Sequence, residues 1–309
     1  MKNLLVLLLA VLITILTMDV RAQTVVPITW PFGIASSQAN YIRVTIKQAN
    51  KDQKKYIFIL EHKPGAGGSI AVKSMSEKSG LALMGHTSSF FSWPLFNPND
   101  NYYSFKDFTP ILIQCTNQPY VIVSSKYKNF EELQKQKFLT MGTVYGSLTE
   151  IHARQLQKSL PNTEVTIVGF PGTPEVQTQV LAKNIDVGVN FPLGMMQWIE
   201  LDKLNVIGAS GTHIYDKNFP TFAKLGVKGF ENLVAHNFII ANASVAPEVV
   251  AELHSILQNA AKTAPELSDM YEKDFCKKEE LSLQQTNDIY KKWSDQWPLM
   301  LLNISKLKQ

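Results

Sequence analysis

Short apolar runs alternate with longer stretches of helical periodicity along most of the chain. Val25–Trp30, Tyr56–Leu60 and Leu81–Met84 read as strands, with helical patterns over Ala39–Asn50 and Ser69–Lys78 between them. Ile111–Ile113 and Tyr120–Ser124 are further strand-like runs. A second alternating block then reads as helix Asn129–Lys135, strand Phe138–Met141, helix Leu148–Ser159, strand Glu164–Val168, helix Glu175–Lys183 and strands Asp186–Val189 and Leu204–Ala209. The last third is mostly helical, over Pro247–Thr263, Pro265–Lys273 and Leu283–Leu302. Pro247 suits a helix start, where a missing N–H costs nothing. The β-α-β-α succession predicts α/β domains with mainly parallel sheets. No internal repeat or low-complexity linker is visible. Lobes of such proteins are often joined by strands, and Tyr120–Ser124 and Asn237–Ala241 are the candidate crossings.

The first residues do not belong to that pattern. Lys2 is followed by an apolar run from Leu4 to Leu16, shorter than the ~20 residues that span a bilayer. Val20-Arg21-Ala22 fits signal-peptidase cleavage after Ala22, so residues 1–22 are expected to be an export signal. An uncleaved anchor helix is the alternative. Cleavage removes Lys2, Asp19 and Arg21 and lowers the formal charge from +4 to +3.

Composition narrows the class. At 309 residues, 45% hydrophobic and 18% charged, the chain carries enough apolar material for folded cores and is long enough for two domains. The 30 Lys and Arg are scattered against 26 acids, and the arginines are Arg21, Arg43 and Arg154 alone. Nucleic-acid binding is therefore not expected, because it concentrates basic charge and uses Arg for bidentate readout. Cys115 and Cys276 exclude a disulfide framework and a Cys-rich zinc site. In an oxidising compartment they could pair, but spacing alone does not decide it.

No nucleophile elbow, P-loop, dinucleotide fingerprint or HExxH zinc motif occurs, and no two histidines stand at metal-ligand spacing. What stands out is a set of polar, Gly-containing loops at strand-to-helix junctions. They are Pro31–Gln38, Gly65–Ser69, Gly85–Ser89, Gly142–Thr149 and Phe170–Pro174. Ligands of open parallel sheets sit outside the carboxyl ends of strands, where such loops gather. Helix N-termini there offer unpaired N–H groups and partial positive charge, which suits a carboxylate without any basic side chain. The competing reading of each loop is an ordinary turn whose Ser or Thr caps the next helix.

In order, these loops resemble the Bug (TctC-like) family of periplasmic solute-binding proteins, the extracytoplasmic receptors of tripartite tricarboxylate transporters. Glu61-His62-Lys63-Pro64-Gly65-Ala66-Gly67-Gly68-Ser69-Ile70 looks like the family's ENRPGAGG signature. Tyr103-Ser104-Phe105-Lys106-Asp107-Phe108-Thr109-Pro110 is similar to its Y-D-x-x-K-D-F-x-P segment. Phe170-Pro171-Gly172-Thr173 with Asn184-Ile185-Asp186 matches Y-K-G…G-Q-V-D. Phe219-Pro220-Thr221, Gly229-Phe230-Glu231 and Ala246-Pro247 resemble its later V-P-T, G-Y/F-E and TP segments. The likeness runs from about Val25 into the C-terminal helices.

The resemblance implies a two-lobed, periplasmic-binding-protein-like α/β fold that closes like a Venus flytrap, with a mainly parallel sheet in each lobe. The lobes would be residues 23–122 with 237–309, and residues 123–236. It also implies a small carboxylate or related polar metabolite held by main-chain N–H groups and ordered waters, with no cofactor, metal or catalytic step. The closed form, a periplasmic monomer, would be recognised by membrane permease subunits. Expected ligand contacts come from Phe32, Ile34, Ala35, Ser36, Ser37 and Ala39 in the first loop, and from Thr87 and Ser88 in the third. Gly142, Thr143, Val144, Tyr145, Gly146 and Ser147 in the fourth, Phe170, Gly172 and Thr173 in the fifth, and Asn190 complete the set.

Departures are concentrated in the first loop. Ala35 and Ser36 replace the family's paired glycines, and Ala39 replaces its acid. Glu150 stands where a His is common, and would oppose an anion unless turned away or paired, for instance with Arg154. Alternatives are a binding module that reports to a membrane sensor kinase and an exported α/β hydrolase or isomerase.

Overall fold

The computed structural model describes residues 23–78, 80–92, 96, 103–212 and 219–305. The expected export signal, residues 1–22, lies outside the described residues. In chain order come β1 (Thr24–Trp30), α1 (Ser37–Asp52), β2 (Tyr56–His62), α2 (Ser69–Ser76), β3 (Leu83–Thr87) and β4 (Phe108–Pro119). β5 (Val121–Ser124), α3 (Phe130–Gln134), β6 (Phe138–Val144), α4 (Leu148–Ser159), β7 (Glu164–Phe170), α5 (Thr173–Leu181), β8 (Val187–Asn190), α6 (Pro192–Glu200) and β9 (Asn205–Ala209) follow. The chain ends with β10 (Val234–Asn242), α7 (Pro247–Thr263), α8 (Pro265–Lys273), β11 (Lys277–Lys278) and α9 (Leu283–Ser305).

The strands form two sheets, ordered β11-β4-β10-β3-β1-β2 and β7-β6-β8-β5-β9. The α/β, two-lobed expectation holds, but each sheet is mixed rather than built from parallel pairs throughout. β1 pairs parallel with β2 and β3, and β6 parallel with β7 and β8. β10 runs antiparallel between β3 and β4, and β5 antiparallel between β8 and β9. The cause is connectivity. A strand that enters a sheet straight from the other lobe, without a crossover helix, arrives pointing the opposite way.

β4 in the first sheet passes to β5 in the second through Tyr120 alone, whose amide donates to Ser210 Oγ at 2.8 Å. Asn237–Ala241 is the interior of β10 and pairs on both sides within the first sheet. That strand is buried on both faces, so it shows no alternation and its full length was not visible in the sequence. α6 was not predicted. Its sequence, PLGMMQWIE, has no regular polar face and carries Gly194.

Helices pack closely on the first sheet. A Cβ at Gly85 of β3 would sit 2.0 Å from Ile42 Cδ1 of α1, so the strand needs glycine there. One core gathers α1, α7 and α8 on β1, β2 and β4. A larger core runs from β3 and β10 through α4 to α9, where His236 stacks on Trp293 at 4.2 Å. Cys115 of β4 and Cys276 are joined by a disulfide with Cα atoms 5.7 Å apart, which settles the pairing that the sequence left open.

Next to the disulfide lies a buried polar chain that ties the lobes together. Asp274, 0% exposed, follows α8 on the first lobe. Its Oδ1 accepts from the Leu193 N–H at 2.7 Å, in the first turn of α6 on the second lobe. Its Oδ2 accepts from Gln118 Nε2 at 2.5 Å and from the Tyr41 hydroxyl. Gln118 Oε1 in turn accepts from Asn237 Nδ2 at 2.6 Å. Burial pushes the Asp274 carboxyl up to about 7, against the opposing hydrogen bonds from Tyr41, Leu193 and Gln118.

A carboxyl raised in the folded state contributes stability that is complete below its unfolded value, near 4, and is lost as pH rises through the folded value. Melting temperature should therefore fall between about pH 4 and 7 in the native protein, and Asp274→Asn should flatten that fall. Equal pH profiles for the two proteins would refute the assignment. Replacing both Cys115 and Cys276 with Ser, which opens a loop spanning 161 residues, should cost about 2–4 kcal/mol, read as a lower midpoint in denaturant.

Candidate functional site

The loop after β1 is held by its own backbone and by neighbouring donors. Ser36 N–H donates to Gly33 O at 3.1 Å, and Trp30 Nε1 donates to the same oxygen at 3.3 Å. Arg43, one and a half turns into α1, donates to Ile34 O at 3.1 Å. Ser36 is the N-cap of α1 with φ −68°, its Oγ accepting from Ala39 N–H. Neither Ala35 nor Ser36 takes a positive φ, so the loop forms without the paired glycines. The cap satisfies one amide of the first turn. The N–H groups of Ser37 and Gln38 have no acceptor among the described residues.

The loop after β3 continues as a short 3₁₀ turn, Ser88–Phe91, capped by Thr87. Ser88 Oγ accepts from His236 N–H at 2.8 Å, and Ser89 Oγ reaches across to accept from Leu148 N–H of α4 at 3.2 Å. On the second lobe, Ser147 caps α4 through Thr149 N–H, and Thr149 Oγ1 accepts from Val144 N–H at 2.7 Å. Glu150 is tied away from the cleft. Its Oε2 accepts from Gly146 N–H at 3.0 Å and its Oε1 pairs with Arg154. The loops after β7 and β8 start α5 at Gly172 and α6 at Phe191, neither with a side-chain cap. Asn190 holds these two loops together, donating to Thr173 O at 3.1 Å and accepting from Phe191 N–H at 2.8 Å.

The lobes meet where Gly172 faces Gly33. A Cβ on Gly172 would lie 3.1 Å from Gly33 N and 2.9 Å from Glu175 Oε2, so closure depends on the missing side chain.

Between the lobes lies a cavity of about 30 Å³. The first lobe contributes Trp30, Phe32, Ser36, Gln38, Thr87 and Ser89, and the crossing contributes Tyr120. The second lobe contributes Val144, Ser147, Thr149, Thr173 and Phe191. Four helices, α1, α4, α5 and α6, begin at its wall. No charged side chain lines it among the described residues. Burial raises the Tyr120 phenol, opposed by hydrogen bonds to Ser89 and Thr87. Gln38 is 2% exposed, and its Nε2 has no hydrogen-bond partner. Two larger surface grooves lie elsewhere, of about 840 and 1000 Å³, one beside α3 and Lys228, the other behind the Pro119 crossing.

Of the residues expected from sequence, Phe32, Ser36, Thr87, Val144, Ser147 and Thr173 line this cavity. Ile34 and Tyr145 are 47% and 48% exposed, and Ala35 is also exposed. Ala39 packs in the first-lobe core. Gly142 packs against Ile185 and Val176, and Thr143 lies buried beside it in β6. Ser37, Ser88, Gly146, Phe170, Gly172 and Asn190 stand around the cavity without lining it. Trp30, Gln38, Ser89, Tyr120, Thr149 and Phe191 were not among the expected contacts, although Gln38, Ser89 and Thr149 lie within the loops singled out from sequence.

A family model for the tripartite tricarboxylate transporter family receptor matches residues 42–305. No curated protein matches. The fold is similar to that of MatC from Rhodopseudomonas palustris with bound malate (TM-score 0.79, 17% identity, covering 90% of this chain and 99% of that one). It is also similar to an R. palustris protein with adipate (0.80, 15%, 93% and 99%) and to the periplasmic binding protein BugD (0.78, 18%, 93% and 97%). With the match spanning most of the sequence and the whole two-lobed fold in agreement, this chain belongs to the tripartite tricarboxylate transporter receptor family.

Proposed function

We propose that this protein is a periplasmic solute receptor that closes on a small carboxylate-bearing metabolite and presents the closed form to the permease of a tripartite tricarboxylate-type transporter. One observation carries the reading: helix starts from both lobes converge on a single uncharged cavity. A helix N-terminus carries roughly half a positive charge and unpaired N–H groups, so it attracts an anion without a basic side chain. The solved relatives bound to malate and adipate support a carboxylate as the cargo class. The polar side chains at the cavity are hydroxyls and one carboxamide, a set suited to binding rather than to a proton-transfer step. In this reading the lobes assigned from sequence, residues 23–122 with 237–309 and residues 123–236, move about the Tyr120 crossing, and the receptor works as a monomer.

A thermal-shift screen of the mature protein tests this, because a ligand that binds only the folded state raises the melting temperature. At least one small carboxylate should raise it, and the matching primary amide should do so less. A flat response to every carboxylate would sink the reading. Gly172→Leu should hold the lobes apart and weaken that ligand about tenfold or more (~1.4 kcal/mol), and should lower the ligand-free melting temperature because the Leu148–Ser89 and Leu193–Asp274 bonds across the junction are lost. Titration calorimetry reads the first effect and a ligand-free melt the second.

A further inference from the structure

We infer that Asp274, Phe275 and Cys276 form a clasp that sets how firmly the lobes stay closed, with Phe275 as a grip on the second lobe and the Cys115–Cys276 bridge as the anchor on the first. The inference takes the hinged motion from the receptor reading and adds the residues that govern it.

The clasp begins where α8 ends. Asp274 is the C-cap, and the chain leaves the helix through a Schellman turn. In it Phe275 N–H donates to Glu272 O at 3.0 Å and Cys276 N–H donates to Tyr271 O at 2.9 Å. The residue after the cap must be left-handed, a place that glycine fills without steric cost. Here Phe275 takes it, with φ +51°, and its Cβ makes that conformation costly. Such a residue persists where its surroundings hold it in place.

The second lobe does the holding. The Phe275 ring meets Phe219 edge-on, with centroids 5.0 Å apart. Phe219 is 1% exposed and belongs to the second-lobe core built on β5, α5, α6 and β9. One residue earlier, Asp274 accepts from Leu193 N–H at the start of α6. Two consecutive residues of the first lobe thus hold the second at two points, one by apolar contact and one by a hydrogen bond. One residue later, Cys276 is bonded to Cys115 of β4, and β11 pairs with that same strand. The grip is therefore fixed to the first lobe on both sides, by α8 before it and by the bridge after it. Without the bridge it keeps only α8 and the short β11 pairing, and it slackens.

Amide hydrogen exchange followed by NMR, on the mature full chain without ligand, tests the clasp. Leu148 N–H reports lobe parting, because its acceptor, Ser89 Oγ, lies on the other lobe. In the native protein it should exchange faster than Leu156 N–H inside α4, since lobes part more readily than a helix unfolds. Phe275→Gly keeps the turn and removes the ring, and should speed Leu148 exchange about tenfold or more. Phe275→Tyr, which keeps the ring, should stay within about twofold of native. Replacing Cys115 and Cys276 with Ser should also speed Leu148, whereas a bridge acting only on the unfolded chain would speed Leu156 and leave Leu148 alone. If Phe275 only ended α8, glycine would serve there at least as well. Unchanged exchange at Leu148 in Phe275→Gly would therefore overturn the inference, and an unchanged Leu148 in the Ser protein would overturn the part given to the bridge. Equal exchange at Leu148 and Leu156 in the native protein would overturn the clasp by showing no parting short of unfolding. Failure of the receptor reading shows separately, as a flat thermal-shift response to every carboxylate.

Discussion

The amides at the start of a helix have no backbone carbonyl to bond, and where these amides find partners organises this molecule. Two helices of the second lobe find theirs on the first. Leu148 of α4 donates to Ser89, and Leu193 of α6 donates to Asp274. Each contact exists only while the lobes are together. Closure thus substitutes protein acceptors for water at both helix ends, and the lobes are held in register by the caps that they provide for each other.

α1 differs. Ser36 takes one of its amides, but the Ser37 and Gln38 amides have no acceptor among the described residues, and α1 also carries the Gln38 Nε2, which has no partner among them. The imbalance falls at the cavity. In the second lobe the hydroxyls of Ser147 and Thr149 are spent on backbone groups of their own loop, so they shape the wall while bonding inward. The capping reading of these loops holds for Ser36, Thr87 and Ser147.

The acidic group that the sequence placed near the cleft shows the same economy of partners. Glu150 bonds to Gly146 N–H and Arg154, which fixes the loop after β6 and keeps its carboxylate out of the cavity lining. Asp274, at the lobe junction, has no cation beside it among the described residues. It relies on neutral donors alone, which is why burial dominates its titration.

Local pattern determined the elements. α4, α7 and α8 begin and end where hydrophobic spacing, Ser147 and the N-terminal prolines placed them, because caps and period act within a few residues. The loops at strand ends, the ordered motifs and the resemblance they carry were legible for the same reason. Pattern failed for β10, whose burial on both faces erases alternation, and for α6, whose nine residues carry no regular polar face. It also could not tell which loop residues face the cavity: Ile34 and Tyr145 turned out to solvent, while Tyr120 and Phe191 came together at 4.4 Å from positions far apart in the chain. Strand direction in each sheet, the Cys115–Cys276 bridge and the cross-lobe caps were equally decided by tertiary structure. Each is a relation between distant segments, and a side chain's partner across a cleft is set by the approach of two bodies, which no local sequence pattern encodes.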